Sequence, residues 1–431
     1  MLAAFIILIV LICASPMAIF LDGNLTIGVE AAMMALASGL IARKSSPAET
    51  QSLMELSRWV FLLGAIPALW MIIQLLPLGY VGIANPVWES TQQTLGYAVA
   101  GSIGIDTGAG LLGLIQYIAI AAILFVTMAV TLDRSRADGV LFALMIATTV
   151  VCFADLLSQL GILSQLDLLL NKSPEVSAVR DVGALGVLLA VTAAIRAFER
   201  WQSSRSFSTS KLTLSLAASI ASVAVCGSAL AMYWTGNLGF GLALALTVLV
   251  GIAFILRLGV GIWGAAAFAA LLLTVSVSII SIQYGSRALD LMFSYSDNDA
   301  LVAITRRILS DAPWFGSGLG SFETLTNVYQ QPSDLLRTTT ALTAAAKIAI
   351  ELGRPMLWTV AIIIVLAIVA LLRGALQRGR DSFYPALGAC CLITLLIRGF
   401  GDASIFAQVV SIVAAATVGL AFAQSRGQTT R

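Results

Sequence analysis

The chain has 431 residues, of which 59% are hydrophobic and 11% charged, and its net charge is +2. Soluble domains carry about 25% charged residues, so the composition excludes an ordinary soluble protein. The absence of histidine excludes imidazole as an acid, a base or a metal ligand. The five cysteines lie within apolar runs, so we expect neither a disulfide framework nor a metal cluster. The small net charge gives no reason to expect nucleic acid among the partners.

Apolar runs near twenty residues recur along the chain and predict an all-α polytopic membrane protein with about twelve transmembrane helices. The predicted spans are 2–21, 25–42, 59–78, 109–131, 139–160, 182–196, 212–234, 237–256, 259–281, 356–372, 384–400 and 403–423. The first run has no basic residue before it, so we interpret it as a retained helix rather than a cleaved signal peptide. The predicted organisation is nine helices in 1–283, a long polar loop in 284–355, and three helices with a tail in 356–431.

Basic residues are distributed unequally between the two sets of connections. One set contains Arg43, Lys44, Arg58, Arg134, Arg136, Arg196, Arg200, Arg205, Lys211, Arg257, Arg373, Arg378, Arg380, Arg426 and Arg431. The other set, without the long loop, contains Lys172, Arg180 and Arg398. Because cytoplasmic loops are enriched in positive charge, both termini are predicted to be cytoplasmic. The loops near 79–108, 161–181 and 284–355 are then predicted to lie outside.

Two features in the first half of the chain each allow two interpretations. In the loop 79–108, Asn85-Pro-Val-Trp88 suggests a re-entrant or surface helix, or else an aromatic anchor. Glu30 and Asp155 are acids within predicted spans. Such acids are costly in a membrane, so each is either a proton site or hydrogen-bonded to a neighbouring helix.

The long loop is predicted to contain a helix over 300–310. Asp299 is a candidate N-cap, and Pro313 follows the end of the helix. The apolar residues repeat at helical spacing and are Leu301, Ile304, Ile308 and Leu309. This spacing leaves Arg306 and Arg307 off the apolar stripe, where they are available to solvent or a ligand.

The segment Gly316-Ser-Gly-Leu-Gly320 follows this helix. It lacks the Gly-Lys-Ser/Thr ending of a phosphate-binding P-loop, which argues against a nucleotide site. Glycines allow a sharp turn, so we predict a tight turn at the membrane surface, framed by Trp314, Phe315 and Phe322.

Two further groups of charges stand near the last three spans. Lys347 and Glu351 are four residues apart and share a helix face, with Arg354 beside them. They form either a surface ion pair or a site with a cation for phosphate and a carboxylate for a proton. Arg398 and Asp402 flank the turn Gly399-Phe-Gly401, which favours mutual pairing over ligand binding.

The segment Asp311-Ala-Pro-Trp-Phe-Gly-Ser-Gly-Leu-Gly-Ser-Phe322 resembles the loop signature of the O-antigen ligase and polysaccharide polymerase (Wzy-C) family. The matching positions are Pro313, Trp314, Gly316, Gly318, Gly320 and Phe322. Ile350-Glu-Leu-Gly353 resembles the Glu-x-Gly that opens the family's next span. Gln74-Leu-Leu-Pro-Leu78 and Asn85-Pro-Val-Trp88 resemble a segment of some members. Twelve spans, cytoplasmic termini and a large helical periplasmic loop between spans 9 and 10 also fit the family.

The resemblance implies a bacterial inner-membrane protein of surface polysaccharide or exopolysaccharide assembly. It implies metal-independent, cofactor-free transfer of a glycan from an undecaprenyl-diphosphate-linked donor to an acceptor hydroxyl, alongside export or chain-length proteins. Such a site needs cations for the diphosphate and a base for the hydroxyl. The candidate cations are Arg306, Arg307, Arg337, Lys347, Arg354 and Arg398. Glu351 is the candidate base, with Asp311 and Asp402 behind it.

Two polar groups of the family are absent. The family's histidine before Glu-x-Gly is replaced in Thr340-Ala-Leu-Thr-Ala344, and its Ser-Arg-Gly is replaced in Thr235-Gly-Asn-Leu-Gly239. A second hypothesis is therefore an inactive relative that binds lipid-linked glycan or export partners. A third is a secondary transporter, which twelve spans and the acids Glu30 and Asp155 allow, although no inverted repeat with broken helices is visible.

Overall fold

The computed structural model describes most of the chain outside one long internal segment. The described residues are 2–19, 23–44, 47–79, 84–97, 99–160, 176–203, 209–232, 299–329, 343–378 and 382–425, with short helical stretches within 241–252.

The helices follow one another in the order of the predicted spans. They are α1 (Leu2–Ala14), α2 (Gly23–Lys44), α3 (Pro47–Leu75), α4 (Val87–Leu95), α5 (Thr107–Val130), α6 (Arg134–Gln159), α7 (Val176–Ser203), α8 (Thr209–Met232), α9 (Asp299–Asp311), α10 (Ser321–Tyr329), α11 (Ala344–Glu351), α12 (Arg354–Arg378), α13 (Phe383–Gly401) and α14 (Gln408–Ser425). Short 3₁₀ helices cover Ser15–Ile19 and Ser404–Phe406.

Within the described ranges, nine helices are long and apolar enough to cross a membrane. They are α2, α3, α5, α6, α7, α8, α12, α13 and α14, and each corresponds to one predicted span. The chain is therefore an all-α polytopic membrane protein. Of the remaining predicted spans, 259–281 lies outside the described residues, as does most of 237–256. The count of twelve stays a prediction.

The first predicted span, 2–21, is a shorter apolar helix. α1 ends at Ala14, and the chain continues as the 3₁₀ helix at Ser15. The Ser15 hydroxyl donates to the carbonyl of Ile12 at 2.8 Å. Pro16 has no N–H to donate to the preceding turn, so the regular α-helix cannot continue unchanged through it.

The prediction for the span 182–196 was too short. α7 extends from Val176 to Ser203 because charged residues at both of its ends are paired inside the bundle. At one end Asp138 of α6 is paired with Arg196, and it accepts hydrogen bonds from Arg200 and from the Tyr384 hydroxyl of α13. Arg196 is only 3% exposed, so it belongs to the helix rather than to a connection.

The main core contains buried apolar residues of α1, α2, α5, α6, α7, α8, α13 and α14. A smaller core joins α3, α5, α11 and α12 through Met71, Leu114, Leu352 and Met356. A third joins α9, α10 and α11 through Ile304, Ile308, Phe322 and Ile350. We call α9, α10, α11 and the turn between α9 and α10 the cap. The second core fixes one end of α11 on the membrane helices.

Candidate functional site

The helix α9 has the predicted position and the predicted faces. It runs from Asp299 to Asp311, one residue longer at each end than expected. Leu301, Ile304 and Ile308 are buried, Leu309 is partly buried, and Arg306 and Arg307 are exposed. Pro313 follows it, as predicted.

The predicted tight turn is present at residues 316–320, which we call the glycine turn. Gly316, Gly318 and Gly320 have φ angles of 82°, 100° and 79°, a conformation that favours glycine. A Cβ on Gly316 would lie 2.3 Å from the carbonyl oxygen of Glu351. A Cβ on Gly318 would lie 2.2 Å from the Cα of Gly104. The glycines therefore allow both a sharp turn and direct contact between main chains.

Main-chain hydrogen bonds hold the glycine turn between two other segments. The N–H groups of Ser317 and Gly318 donate to the carbonyls of Ile350 and Glu351 at 2.9 and 3.0 Å. On the other side, the Ile105 N–H donates to the Ser317 carbonyl at 3.0 Å. The signature segment is thus joined to the end of α11 and to the loop that precedes α5.

Gln74, near the end of α3, connects the same segments through its side chain. Its side-chain N–H₂ group donates to the main-chain carbonyls of Phe315 and Glu351 at 3.1 and 3.0 Å, and its main-chain carbonyl accepts from the Gly104 N–H at 3.2 Å. Trp70, one turn earlier, donates to the Leu352 carbonyl at 2.8 Å. Sequence analysis identified Gln74 only as part of a resemblance and did not identify Trp70, because the partners of both residues are far away in the sequence.

The loop before α5 is itself fixed by polar contacts. Trp88 of the short helix α4 donates to the Gly104 carbonyl at 3.2 Å, and the Ser102 hydroxyl donates to the same carbonyl at 2.7 Å. Asp106 caps α5 by accepting from the Ala109 N–H at 2.9 Å. The helix α4 is a surface helix with no buried residue, which agrees with one of the two predictions for this loop.

Glu351 is the last residue of α11, lies against the glycine turn and is 3% exposed. Its Oε1 accepts the N–H of Phe322 at 3.3 Å, and the carboxylate also receives the N–H of Gly320. Burial raises the pKa of Glu351, while the charge of Lys347 and the two N–H groups oppose part of that shift. The carboxylate therefore holds the main chain of the glycine turn in place. Its pKa is also higher than that of an exposed glutamate.

The candidate cations of the cap and of the start of α12 have different surroundings. Arg306 and Arg307 lie exposed on α9, and Arg354 is exposed at the start of α12. Arg354 donates to the Leu309 carbonyl at 2.9 Å, and its guanidinium lies 5.7 Å from the centre of the Trp314 ring. Arg337 lies outside the described residues.

Lys347 and Asp311 have specific neighbours in the cap. The Lys347 ammonium lies 5.1 Å from the centre of the Phe406 ring, a cation–π distance. Asp311 is exposed and accepts the Tyr329 hydroxyl at 2.9 Å. This hydrogen bond raises the pKa of Tyr329. Asp311 thus joins the ends of α9 and α10.

The predicted pairing of Arg398 and Asp402 is confirmed, at 3.0 Å. Arg398 is 2% exposed, and its Nε also donates to Asp181 of α7 at 2.6 Å. Ser404 donates to the second oxygen of Asp181, and Arg180 lies 3.9 Å from Asp402. Asp181 was not predicted as a partner, because it is 217 positions away from Arg398 in the sequence. Both oxygens of Asp181 are thereby satisfied.

This ion cluster is continuous with the cap. The main-chain carbonyl of Asp402 accepts the N–H of Ala344, the first residue of α11, at 3.1 Å. α11 therefore extends from the ion cluster at its beginning to Glu351 and the glycine turn at its end. The candidate residues Asp402, Arg398, Lys347, Glu351 and Arg354 all lie along this one path.

The two intramembrane acids are placed as follows. Glu30 is buried and accepts the side-chain amide of Gln408 in α14 at 2.7 Å, which matches the predicted hydrogen bond to a neighbouring helix. Asp155 is buried in α6. Among the residues that the structure describes, no three acidic or cysteine side chains form a group that could hold a metal ion.

No protein-family model and no curated protein matches the chain.

Proposed function

We propose that the chain is a glycosyltransferase of surface polysaccharide or exopolysaccharide assembly, of the ligase or polymerase type that its loop resembles. Its donor is a glycan on undecaprenyl diphosphate, and its acceptor is a hydroxyl group of another glycan or carrier. The proposal places the protein in the bacterial inner membrane with both termini in the cytoplasm and the cap in the periplasm. Reporter fusions at each terminus and at Asn327 test this orientation.

The observation that carries the proposal is the joining of separate sequence segments at the glycine turn. The segments at Gln74, Gly104, the glycine turn and Glu351 are far apart in the sequence and are hydrogen-bonded to one another through main-chain groups and the Gln74 side chain. Three of these segments, at Gln74, the glycine turn and Glu351, also resemble parts of the same family pattern. A chance resemblance of short glycine-rich motifs gives no reason for these segments to meet.

The chemistry that we propose is a displacement at the anomeric carbon of the donor glycan. The acceptor oxygen forms the new bond to that carbon, the bond from the carbon to the diphosphate oxygen breaks, and the diphosphate leaves on its lipid. The acceptor hydroxyl loses a proton, which requires a base in the site. The lipid diphosphate already carries the activation, so no nucleotide is consumed.

Glu351 is the base in this proposal. A carboxylate accepts a proton from a hydroxyl group most effectively when its pKa is displaced towards the working pH. Burial acts on the pKa of Glu351 in that direction. Arg306 and Arg307 are exposed on the cap and Arg354 is exposed at the start of α12, and all three supply positive charge for the leaving diphosphate.

A second candidate function is a binding protein without turnover. The observation that favours it is the engagement of the Glu351 carboxylate by the N–H groups of Gly320 and Phe322. A carboxylate that holds a turn in place has fewer free lone pairs for a substrate proton. In this alternative, the cap binds lipid-linked glycan and presents it to an export partner.

The experiment that tests the proposal in cells replaces Arg306 and Arg307 by alanine. The expected result is shorter polymer or a lower yield, because the leaving diphosphate loses two positive charges. Arg373→Ala is the matched control, because Arg373 is an exposed arginine at the opposite end of α12 from Arg354. Polymer of unchanged length and yield in the double variant, at equal protein level, contradicts the proposal.

A further inference from the structure

Three aromatic side chains of the cap and α12 are mostly exposed. Trp314 is 68% exposed, Phe315 is 57% exposed and Trp358 is 64% exposed. Large aromatic residues are usually the most buried part of a fold, so a group of them on one surface indicates contact with something apolar. We call these three residues the aromatic patch.

The aromatic patch lies beside the ends of two membrane helices. The Phe315 ring lies 5.8 Å from the ring of Trp70 in α3, and the Trp314 ring lies 5.7 Å from the Arg354 guanidinium. Trp358 is four residues after Arg354, so it lies on the same face of α12. The patch therefore bridges the ends of α3 and α12.

The surfaces directly beneath the patch are those of membrane-spanning helices. On α3, Leu69 and Leu62 are 58% and 55% exposed, and on α12, Ile362 and Leu366 are 58% and 50% exposed. In a polytopic membrane protein these exposed apolar side chains face lipid. The aromatic patch lies at the end of that lipid-facing surface, with the exposed Arg354 beside Trp314.

The patch lies near the ends of two membrane helices, where the bilayer interface is expected. Trp358 lies about 6 Å inside the start of α12, and Trp70 lies about 7.5 Å inside the end of α3, at 1.5 Å per residue. The interfacial region on each side of the hydrocarbon core is about 5–8 Å thick. Tryptophan is enriched at that level because its ring is apolar and its N–H is polar.

We propose that Trp314 and Phe315 are inserted into the bilayer interface, so that the cap lies on the membrane surface instead of standing in the aqueous phase. The occupant of the aromatic patch is the lipid of the same membrane that α3 and α12 cross. Arg354 then lies at the level of the lipid phosphates. This inference is independent of the proposed transfer reaction, because it depends only on the exposed aromatic side chains and the helices beneath them.

The test uses a fluorescent bimane label at Trp314→Cys in nanodiscs. The background is Cys13→Ala, because Cys13 is exposed and the other four cysteines are buried. Quenching is measured with nitroxide lipids labelled at the headgroup or at the fifth acyl carbon, and separately with aqueous iodide. The expected result is loss of fluorescence with both nitroxide lipids and little loss with iodide.

Asn327→Cys is the matched control, because Asn327 is exposed on α10 of the same cap and is not part of the aromatic patch. Its label is expected to be quenched by iodide and not by the lipids. Phe315→Cys provides a second position if the label at residue 314 disturbs the fold. Iodide quenching at residues 314 and 315 equal to that at residue 327, without lipid quenching, overturns the inference and leaves a protein partner as the occupant.

Discussion

Gly318 and Gly104 are in main-chain contact, but the space for an added side chain differs between the two positions. A Cβ on Gly318 would lie 2.2 Å from the Cα of Gly104, whereas a Cβ on Gly104 would meet its first neighbour, the Gln74 carbonyl oxygen, at 3.6 Å. Gly318 also has a positive φ of 100°. The glycine turn therefore depends on Gly318 much more than on the glycine that it touches.

The first prediction compares these two glycines. Gly318→Ala is expected to destabilise the protein by about 1–3 kcal/mol or more, through strain and overpacking. Gly104→Ala is expected to have a much smaller effect, because its added methyl group meets only ordinary contacts. Thermal unfolding of both variants, followed by tryptophan fluorescence in the same detergent, measures the difference. Equal stability of the two variants contradicts the close packing of the glycine turn.

The second prediction concerns Gln74. Gln74→Leu removes the donor to Phe315 and Glu351 while keeping a side chain of similar size. The loss of a buried hydrogen-bond donor with two acceptors is expected to cost about 1–3 kcal/mol. Gln93→Leu is the control, because Gln93 is exposed on α4. If Gln74→Leu unfolds at the wild-type temperature, the amide does not hold the segments together.

The third prediction concerns pH. Burial raises the pKa of Glu351 above its ordinary value of 4.5, so between the two values the folded state binds more protons than the unfolded state. The stabilisation from protonated Glu351 is fully present below pH 4.5 and is lost as the pH rises through the raised pKa. The unfolding temperature should therefore fall over this window in the wild type.

The matched variants for the pH prediction are Glu351→Gln and Glu89→Gln. Glu351→Gln should have a weaker fall in unfolding temperature over the same window, because the titrating group is gone. Glu89 is an exposed acid on α4, so its replacement should leave the wild-type slope intact. A wild-type slope retained in Glu351→Gln would show that another group titrates.

The fourth prediction concerns the buried ion cluster. Arg398→Met leaves the carboxylate of Asp181 buried without its cationic partner, and this is expected to cost about 3–5 kcal/mol. Arg136→Ala is the comparison, since the Arg136–Asp133 pair is 3.6 Å long and solvent-exposed. An exposed pair of this kind contributes about 0–1 kcal/mol. Similar unfolding free energies for the two variants would contradict a structural role of the cluster.

The membrane helices and the cap helix α9 could be predicted from the sequence because their signals are local. The nine long apolar helices among the described residues follow from apolar runs, and α9 follows from the spacing of Leu301, Ile304 and Ile308. The exposure of Arg306 and Arg307 follows from the same spacing. The glycine turn was also predictable, since its backbone conformation is a local property of glycine.

The tertiary contacts between these elements could not be predicted. α7 begins at Val176 and so includes Asp181, which pairs with Arg398, whereas a charged residue near an apolar run usually indicates a connection. In the same way, the contact of Gly318 with Gly104 and the double hydrogen bond of Gln74 join residues that are hundreds of positions apart. Local sequence contains no information about such contacts.

The most direct test of the central claim is turnover by the purified protein. Wild-type protein in lipid nanodiscs is mixed with native undecaprenyl-diphosphate-linked repeat units and an acceptor glycan, with no metal ion or nucleotide added. The account predicts longer products or acceptor transfer in the wild type and in Glu89→Gln, and their loss in folded Glu351→Gln. Binding of the lipid-linked donor without turnover in the wild type would contradict the enzyme and leave the binding protein in its place.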